Sequence, residues 1–176
     1  DWSSNVCSSD LTKFLANCKN IKSVCEIGCS VGMFPRTFPE LFQGLEYTGI
    51  DLSERSIQVC KKYLNNDFIQ GDFLKLNLTK KFDLVFSFDV IDHVYDIDSF
   101  IFKALHTSNQ YIYINSYRGY FPDLEKHHTE YRDEQGIYYN DISVRQVERL
   151  LLKNHLTKNN FSIEHKILRD KLRSEE

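Results

Sequence analysis

The chain has 176 residues and a formal net charge of −3; 41% of its residues are hydrophobic and 27% are charged, a composition typical of one globular domain with a substantial core. No apolar run approaches the roughly 20 residues of a membrane-spanning helix, so we expect no membrane partner and a cytoplasmic location. No basic stripe of the kind that binds nucleic acid is visible, and we therefore expect no nucleic-acid partner.

The first eleven residues, DWSSNVCSSDL, closely resemble the in-frame translation of a common sequencing adapter. We exclude residues 1–11 on that ground and treat residues 12–176 as a single domain. The cysteines that remain form no C-x-x-C pair. This favours reduced core thiols over a disulfide framework or a zinc site, and we predict no metal.

Apolar strand-like runs alternate with helix-like stretches, which predicts an α/β fold with a mostly parallel sheet. Pro35 suits the first turn of the second helix, whereas Pro39 would kink or break it. Ser53 and Ser143 are predicted N-terminal caps of later helices. The predicted strands are 22–27, 46–50, 67–71, 82–88, 110–116 and 161–168, and the predicted helices are 12–18, 32–42, 53–64, 97–106 and 143–155.

The first strand leads into a glycine loop in the segment VCEIGCSVGMF. Gly28 and Gly32 allow a sharp turn and a close approach to a ligand, and Glu26 lies at the strand end, where a carboxylate can meet a cationic or hydroxyl-bearing group. The dinucleotide pattern G-x-G-x-x-G would need glycine in place of Ser30 and Met33. The segment therefore predicts another nucleotide-like cofactor, although such turns also serve as plain packing devices.

Carboxylates also follow the second and third strands. Asp51 can accept hydrogen bonds from both hydroxyls of a ribose, or it can cap the helix that starts near Ser53. Asp72 can accept from an adenine amino group, while the next backbone amide donates to a ring nitrogen and Phe73 offers an apolar wall. Turn chemistry alone also explains Gly71 and Asp72.

The fourth strand, FDLVFSF, continues as DVIDHV into a helix with an acidic first turn. This segment closely resembles the fourth-strand motif of small-molecule class I S-adenosylmethionine-dependent methyltransferases, where D-V-I-E-H-V is a frequent form. The acid-x-Gly-x-x-x-Gly spacing of the glycine loop resembles the first motif of the same family. Together the motifs cover residues 22–106 in the family's order.

The resemblance implies a Rossmann-like, doubly wound sheet with helices on both faces and S-adenosylmethionine as the cofactor. It implies methyl transfer by in-line displacement to an O or N nucleophile of a small-molecule acceptor. The implied cofactor-binding residues are Glu26, Gly28, Cys29, Ser30 and Gly32 for the methionine part, Asp51 and Leu52 for the ribose, Asp72 and Phe73 for the adenine, and Phe88 and Asp89 for the sulfonium side. Ser30 stands where many members have glycine.

His93 is the first candidate for a general base, because its unperturbed pKa is near neutral and it follows the fourth strand. The alternative is that His93 only packs against or caps the next helix. Residues 117–142 are predicted to be an irregular substrate-covering loop, with room for a short helix. Its polar cluster around His127 and His128 could bind an acceptor or an ion, but a solvated loop face is the favoured interpretation.

Two other functions remain open at this stage. A nicotinamide-dependent oxidoreductase or epimerase would need a third glycine in the loop and a Tyr-x-x-x-Lys pair, and the chain has neither. The other is a non-catalytic cofactor-binding fragment. The sheet of the family that the chain resembles ends with an antiparallel seventh strand, but no such strand follows the predicted sixth, and little sequence precedes the first helix. We accordingly expect a domain truncated at both ends. The acceptor and the oligomeric state are not predicted.

Overall fold

The computed structural model describes residues 11–164, and the chain divides into two compact units. The first unit runs to Phe88 and also includes Lys103–Ile114. The second comprises Asp89–Phe102 and the chain from Asn115 onward.

The first unit is built on a five-stranded sheet with the order β3-β2-β1-β4-β5. Strand β1 pairs in parallel with both β2 and β4, and β2 pairs in parallel with β3. The strands are β1 (Ser23–Ile27), β2 (Glu46–Asp51), β3 (Asp67–Gln70), β4 (Phe82–Phe88) and β5 (Ser108–Asn115). This confirms the first five predicted strands and the α/β class, and it brings the carboxyl ends of the parallel strands to one edge.

The helices also follow the prediction, with one break. The predicted helix over 32–42 is divided at Phe38, which is the C-cap of one short helix and the N-cap of the next, because Pro39 starts a new turn. Ser53 and Ser143 are N-caps whose hydroxyls accept from backbone amides at 3.2 and 3.1 Å. The helices are α1 (residues 11–17), α2 (Met33–Thr37), α3 (Pro39–Phe42), α4 (Glu54–Tyr63), α5 (Ile97–Thr107) and α6 (Val144–Lys153).

The core of the first unit is aromatic. Phe86 on β4 is fully buried, and its ring centre lies 5.8 Å from that of Phe34 and 6.1 Å from that of Phe42. Leu11 is also fully buried in this core, although the sequence boundary places it in the excluded adapter-like segment. The folded unit therefore includes Leu11.

The second unit contains a three-stranded sheet, so the prediction of an irregular loop over 117–142 is wrong. Strand β8 (Ile137–Ser143) lies between β6 (Tyr120–Phe121), which is parallel to it, and β7 (His128–Arg132), which is antiparallel. Gly136, with φ of 66°, ends the tight turn of the β7–β8 hairpin. Tyrosines, threonine and isoleucines flank that turn, and this β-forming signal was available in the sequence.

The predicted sixth strand over 161–168 is not confirmed. Residues 161–164 adopt no regular structure, and residues 165–168 lie outside the described part of the chain. Within residues 11–164, no helix is long and apolar enough to cross a membrane.

Replacing Gly49 by Ala should lower the free energy of unfolding by about 1–3 kcal/mol. A Cβ at this position of β2 would lie 2.8 Å from the Cys29 sulfur and 2.9 Å from the Phe68 ring. Urea denaturation of wild type, Gly49→Ala, Phe68→Leu and the double variant measures the effect. Because Leu removes part of the clash, the double variant should lose less than the sum of the single changes. Strict additivity would contradict this account.

Candidate active site

The glycine loop follows β1 and is attached to the end of β2. The amides of Gly28 and Cys29 both donate to the carbonyl of Ile50, at 2.7 and 3.0 Å. Gly28 and Gly32 have φ of 77° and 72°, and Ser30 adopts the same left-handed region with φ of 47°. The loop is thus held in a strained conformation by its neighbour in the sheet.

The Asp51 side chain also joins the glycine loop to the end of β2. One carboxylate oxygen accepts from the amide of Ser30 at 2.8 Å, and the other accepts from the amide of Ser53 at 2.8 Å. Because Ser53 caps α4, the predicted alternative of Asp51 as the helix cap is not what the structure shows. Each oxygen of a carboxylate can accept a second hydrogen bond, so Asp51 retains acceptor capacity for a ribose.

Glu26 is a buried carboxyl at the end of β1, with 3% of its surface exposed. The hydroxyl of Tyr47 donates to it, a contact that sequence reasoning missed. Burial raises the pKa of Glu26 to about 8, the hydrogen bond from Tyr47 opposes that shift, and the charge of Asp51 adds to it. A carboxyl in this state becomes charged most readily when a cation is placed beside it.

The turn after β3 contains the predicted adenine residues. Asp72 accepts from the amide of Leu74 at 2.9 Å, which is the turn chemistry expected of this residue, and its other oxygen lies 3.5 Å from the ammonium of Lys75. The Phe73 side chain is only 5% exposed. Its ring therefore presents almost no surface to a ligand. Leu52, after β2, is 70% exposed.

Phe88, the last residue of β4, is partly buried in the aromatic core of the first unit. Its ring centre lies 4.7 Å from that of Phe34 and 5.4 Å from that of Tyr113. These contacts fix the direction in which β4 ends.

In the second unit, Asp89 has a strained backbone and one unsatisfied carboxylate oxygen among the described residues. Its φ is 59°, a left-handed conformation that few residues other than glycine adopt. Its buried Oδ1 has no hydrogen-bond partner within the described part of the chain. Burial raises the pKa of Asp89, and the charge of Asp92 raises it further. Strain and an orphaned polar atom together are typical of functional positions.

His93 lies in a short 3₁₀ helix (Ile91–His93) and contacts β8. Its Nδ1 is 2.7 Å from the carbonyl oxygen of Tyr138, so Nδ1 is the donor, and in the neutral imidazole the lone pair is then on Nε2. Its ring centre is 5.7 Å from that of Tyr117 and 5.4 Å from that of Tyr139. The imidazole is held in one orientation and in the tautomer that a base requires.

Asp92 connects this 3₁₀ helix to the turn after β5. It belongs to the DVIDHV motif, but the sequence alone assigns it no role. Its fully buried carboxylate accepts from the Ser116 hydroxyl at 2.6 Å and from the amides of Tyr117 and Arg118 at 3.3 Å each. Burial raises the pKa of Asp92 although these hydrogen bonds oppose the shift. Arg118 in turn pairs with Asp141 of β8.

The interpretation of the histidine cluster as a solvated face is wrong for His127. Its side chain is 7% exposed, its Nδ1 accepts from the amide of Ser143 at 2.9 Å, and its Nε2 lies 3.2 Å from an oxygen of Asp98. Burial lowers the pKa of His127. The side chain of His128 is 67% exposed. Among residues 11–164, no group of three or more His, Cys, Asp and Glu side chains could hold a metal ion.

Comparisons with known proteins identify the family and the fold of the chain. The model of a family described as "Methyltransferase domain" matches residues 19–170. A ubiquinone biosynthesis O-methyltransferase of Pelagibacter ubique is 34% identical over 88 residues, covering 47% of this chain and 35% of that protein. A malonyl-[acyl-carrier protein] O-methyltransferase of Priestia megaterium is 23% identical over 124 residues, covering 67% and 45% respectively.

Solved structures share the fold. Streptomyces venezuelae DesVI superposes with a TM-score of 0.62 at 15% identity, covering 85% of this chain and 82% of that one. An O-methyltransferase from a trans-AT PKS multienzyme of Brevibacillus brevis, solved with S-adenosyl-L-homocysteine, gives 0.61 at 13% identity, covering 81% and 50%. At these identities the likeness concerns the fold alone.

The family match covers most of the chain, so the chain belongs to the methyltransferase-domain family, whose class I members use S-adenosylmethionine as methyl donor. Nothing in the comparisons favours the nicotinamide-dependent alternative. The chain spans less than half the length of the curated relatives it matches.

The buried carboxyl of Glu26 should make the ligand-free protein less stable as pH rises. Its folded pKa of about 8 lies above its ordinary value of 4.5, so between these values the folded state binds more protons than the unfolded state. The free energy of unfolding therefore falls from pH 5 to pH 8, by up to about 4 kcal/mol from this group.

Urea denaturation of wild type and Glu26→Gln at pH 5, 6.5 and 8 isolates this contribution. Glu26→Gln should show the smaller decrease, and Glu40→Gln, at an exposed helical position, should follow wild type. An unchanged pH dependence in Glu26→Gln would show that Glu26 does not carry the raised pKa.

Proposed function

We propose that this protein transfers a methyl group from S-adenosylmethionine to an O or N nucleophile of a small-molecule acceptor. The observation that carries the proposal is the double hydrogen bond of Asp51, which fixes the glycine loop and the end of β2 in one arrangement. A loop held in this way presents a preorganised surface to a nucleoside, so that little ordering entropy is lost on binding.

The cofactor residues proposed from the sequence keep their roles in this proposal. The methionine part would lie along the loop from Gly28 to Gly32, with its ammonium group near Glu26, whose raised pKa favours a cationic neighbour. The ribose would bind Asp51 and pack against exposed Leu52. The adenine would meet the Asp72 carboxylate and the Phe73 amide, and Phe88 and Asp89 would lie toward the sulfonium.

The cofactor supplies an activated methyl group with a good leaving group, so the protein mainly has to align the acceptor with it. A hydroxyl or amine acceptor must also lose a proton. We propose His93 as the general base, because the Tyr138 carbonyl holds Nδ1 as the donor and leaves the Nε2 lone pair to accept that proton. Asp89 would attract the developing positive charge on the acceptor with its unsatisfied oxygen.

The acceptor class follows only from the relatives. Because several curated relatives are ubiquinone biosynthesis O-methyltransferases, hydroxylated ubiquinone precursors are the first acceptors to screen, and malonyl thioesters are the second. O-Methylation is thus the more specific form of the proposal, and the cytoplasmic location remains a prediction. Calorimetric titration with S-adenosylmethionine, S-adenosylhomocysteine and NAD tests the cofactor. Binding of NAD alone would overturn the proposal, and no binding at all would favour a non-catalytic fragment.

Asp51→Ala should weaken binding of S-adenosylhomocysteine by about 1–3 kcal/mol, because it removes both the ribose acceptors and the anchor of the loop. Isothermal titration calorimetry gives the affinity. Asp67→Ala, at an exposed position at the start of β3, is the matched control and should bind as wild type does. Equal binding by Asp51→Ala and wild type would sink the assignment of this residue.

His93→Gln should reduce kcat about 10²–10⁴-fold, the usual contribution of a general base, and leave cofactor affinity unchanged. The assay follows transfer of labelled methyl groups to the acceptor that the screen identifies. His106→Gln, an exposed histidine of α5, is the control and should keep wild-type activity. If both histidine variants retain wild-type activity, His93 has only a packing role.

A further inference from the structure

Lys103 of α5 donates to the backbone of the turn that follows β3. Its Nζ lies 3.1 Å from the carbonyl oxygen of Leu74 and 2.5 Å from that of Leu76. It also lies 5.3 Å from the centre of the Phe73 ring, within the range of a cation–π interaction. All of these residues belong to the first unit.

The turn itself is closed by hydrogen bonds that centre on Asp72. The Asp72 carbonyl accepts from the amides of Lys75 and Leu76, both at 2.9 Å, and its side chain accepts from the amide of Leu74. Gly71 connects β3 to this turn, and its amide donates to the Asp51 carbonyl at 2.9 Å. Beyond the sheet, Lys103 ties the far side of the turn to a helix more than 25 residues later.

The ammonium is partly buried, and burial lowers the pKa of Lys103 while the charge of Asp72 opposes that shift. A buried ammonium is costly unless its hydrogen bonds are satisfied, so the two carbonyls and the ring must keep their places around it. A fully exposed lysine is hydrated by water and does not require backbone carbonyls at fixed positions.

We infer that Lys103 is a positioning residue that holds the Asp72 carboxylate and the Phe73 amide where they read the edge of the adenine. The inference rests on the proposed placement of the adenine at this turn. In this inference Lys103 acts through the turn and not through a contact of its own with the cofactor. Its substitution should therefore affect recognition of the base more than binding of the rest of the cofactor.

The test compares two ligands that differ only at the base. S-Adenosylhomocysteine carries the adenine amino group. S-Inosylhomocysteine carries a carbonyl oxygen in its place, which would face the Asp72 carboxylate, and a hydrogen on the adjacent ring nitrogen N1. Wild type should prefer the adenosyl ligand by about tenfold or more, as expected for one lost hydrogen bond and one unfavourable oxygen pair. Calorimetry gives both dissociation constants, and thermal melting reports on the fold.

Lys103→Met should bring the preference down to about twofold or less, whereas Lys103→Arg, which can still donate to two carbonyls, should restore most of it. Lys61→Met, at an exposed position of α4, is the matched control and should keep the wild-type preference. If Lys103→Met does not fold, Lys103→Gln, which can donate to one carbonyl, should give an intermediate preference. An undiminished wild-type preference in the Met or Gln variant, or equal weakening of both ligands, overturns the inference.

Asp72→Asn separates this inference from the proposed site, because Asn retains the acceptor for the Leu74 amide and presents an amino group to the adenine. Loss of the preference in Asp72→Asn supports the adenine placement. If Asp72→Asn loses the preference and Lys103→Met keeps it, only the role of Lys103 is overturned. If wild type shows no preference, the adenine placement itself is wrong and the inference falls with it.

Discussion

The two hydrogen bonds of the Asp51 carboxylate hold together the part of the first unit on which the candidate site depends. The glycine loop contains left-handed residues and has no strand or long helix of its own to support it. Helix α2 has only five residues, so its dipole adds little at the loop. The loop keeps its shape because Asp51 binds the Ser30 amide and because the Ile50 carbonyl accepts two further amides. Support and prospective ligand contact are thus combined in one side chain.

Two carboxyl groups occupy surroundings that disfavour their charge. Glu26 is buried beside Tyr47, and Asp89 has a buried oxygen without a partner among the described residues. A protein selected only for stability would not keep such groups, since each raises the free energy of the folded state. Glu26 lies near the end of β1 and Asp89 directly follows β4, and both belong to segments that carry the family's motifs. A cationic ligand would stabilise the charged form of both. The proposed function accounts for both positions, since binding of such a ligand would offset this loss of stability.

The pattern of apolar and turn residues along the sequence predicts the main sheet, because its strands are short apolar runs that are separated by turn residues. The side chains of these runs are buried in the core. The break at Phe38 followed in the same way from Pro39. The Tyr47 contact with Glu26 depends on the register between β1 and β2. The need for glycine at position 49 depends on the Cys29 and Phe68 side chains, which the glycine loop and strand β3 bring against it. No local pattern contains this information. A glycine inside a strand could have signalled a close approach.

The second unit was predicted least well for a related reason. Strand β8 alternates polar and apolar residues weakly, and its polar Asn140 is fully buried because it donates to the carbonyls of Ile91 and Val94. Asp92 is buried in the same way, by donors that lie 24 to 26 residues later in the chain. Hydrophobic periodicity does not detect polar groups that are buried through such distant partners, so it predicts a loop over residues 117–142.

The contact between His93 and the Tyr138 carbonyl joins residues 45 positions apart. The Asn140 side chain spans 49 positions to reach Ile91. Closing a loop costs conformational entropy, and the cost grows slowly with the length of the loop. During synthesis, the imidazole cannot take up its orientation until the hairpin at the far end of the second unit has left the ribosome and paired. The proposed base would then be the last part of the candidate site to be completed.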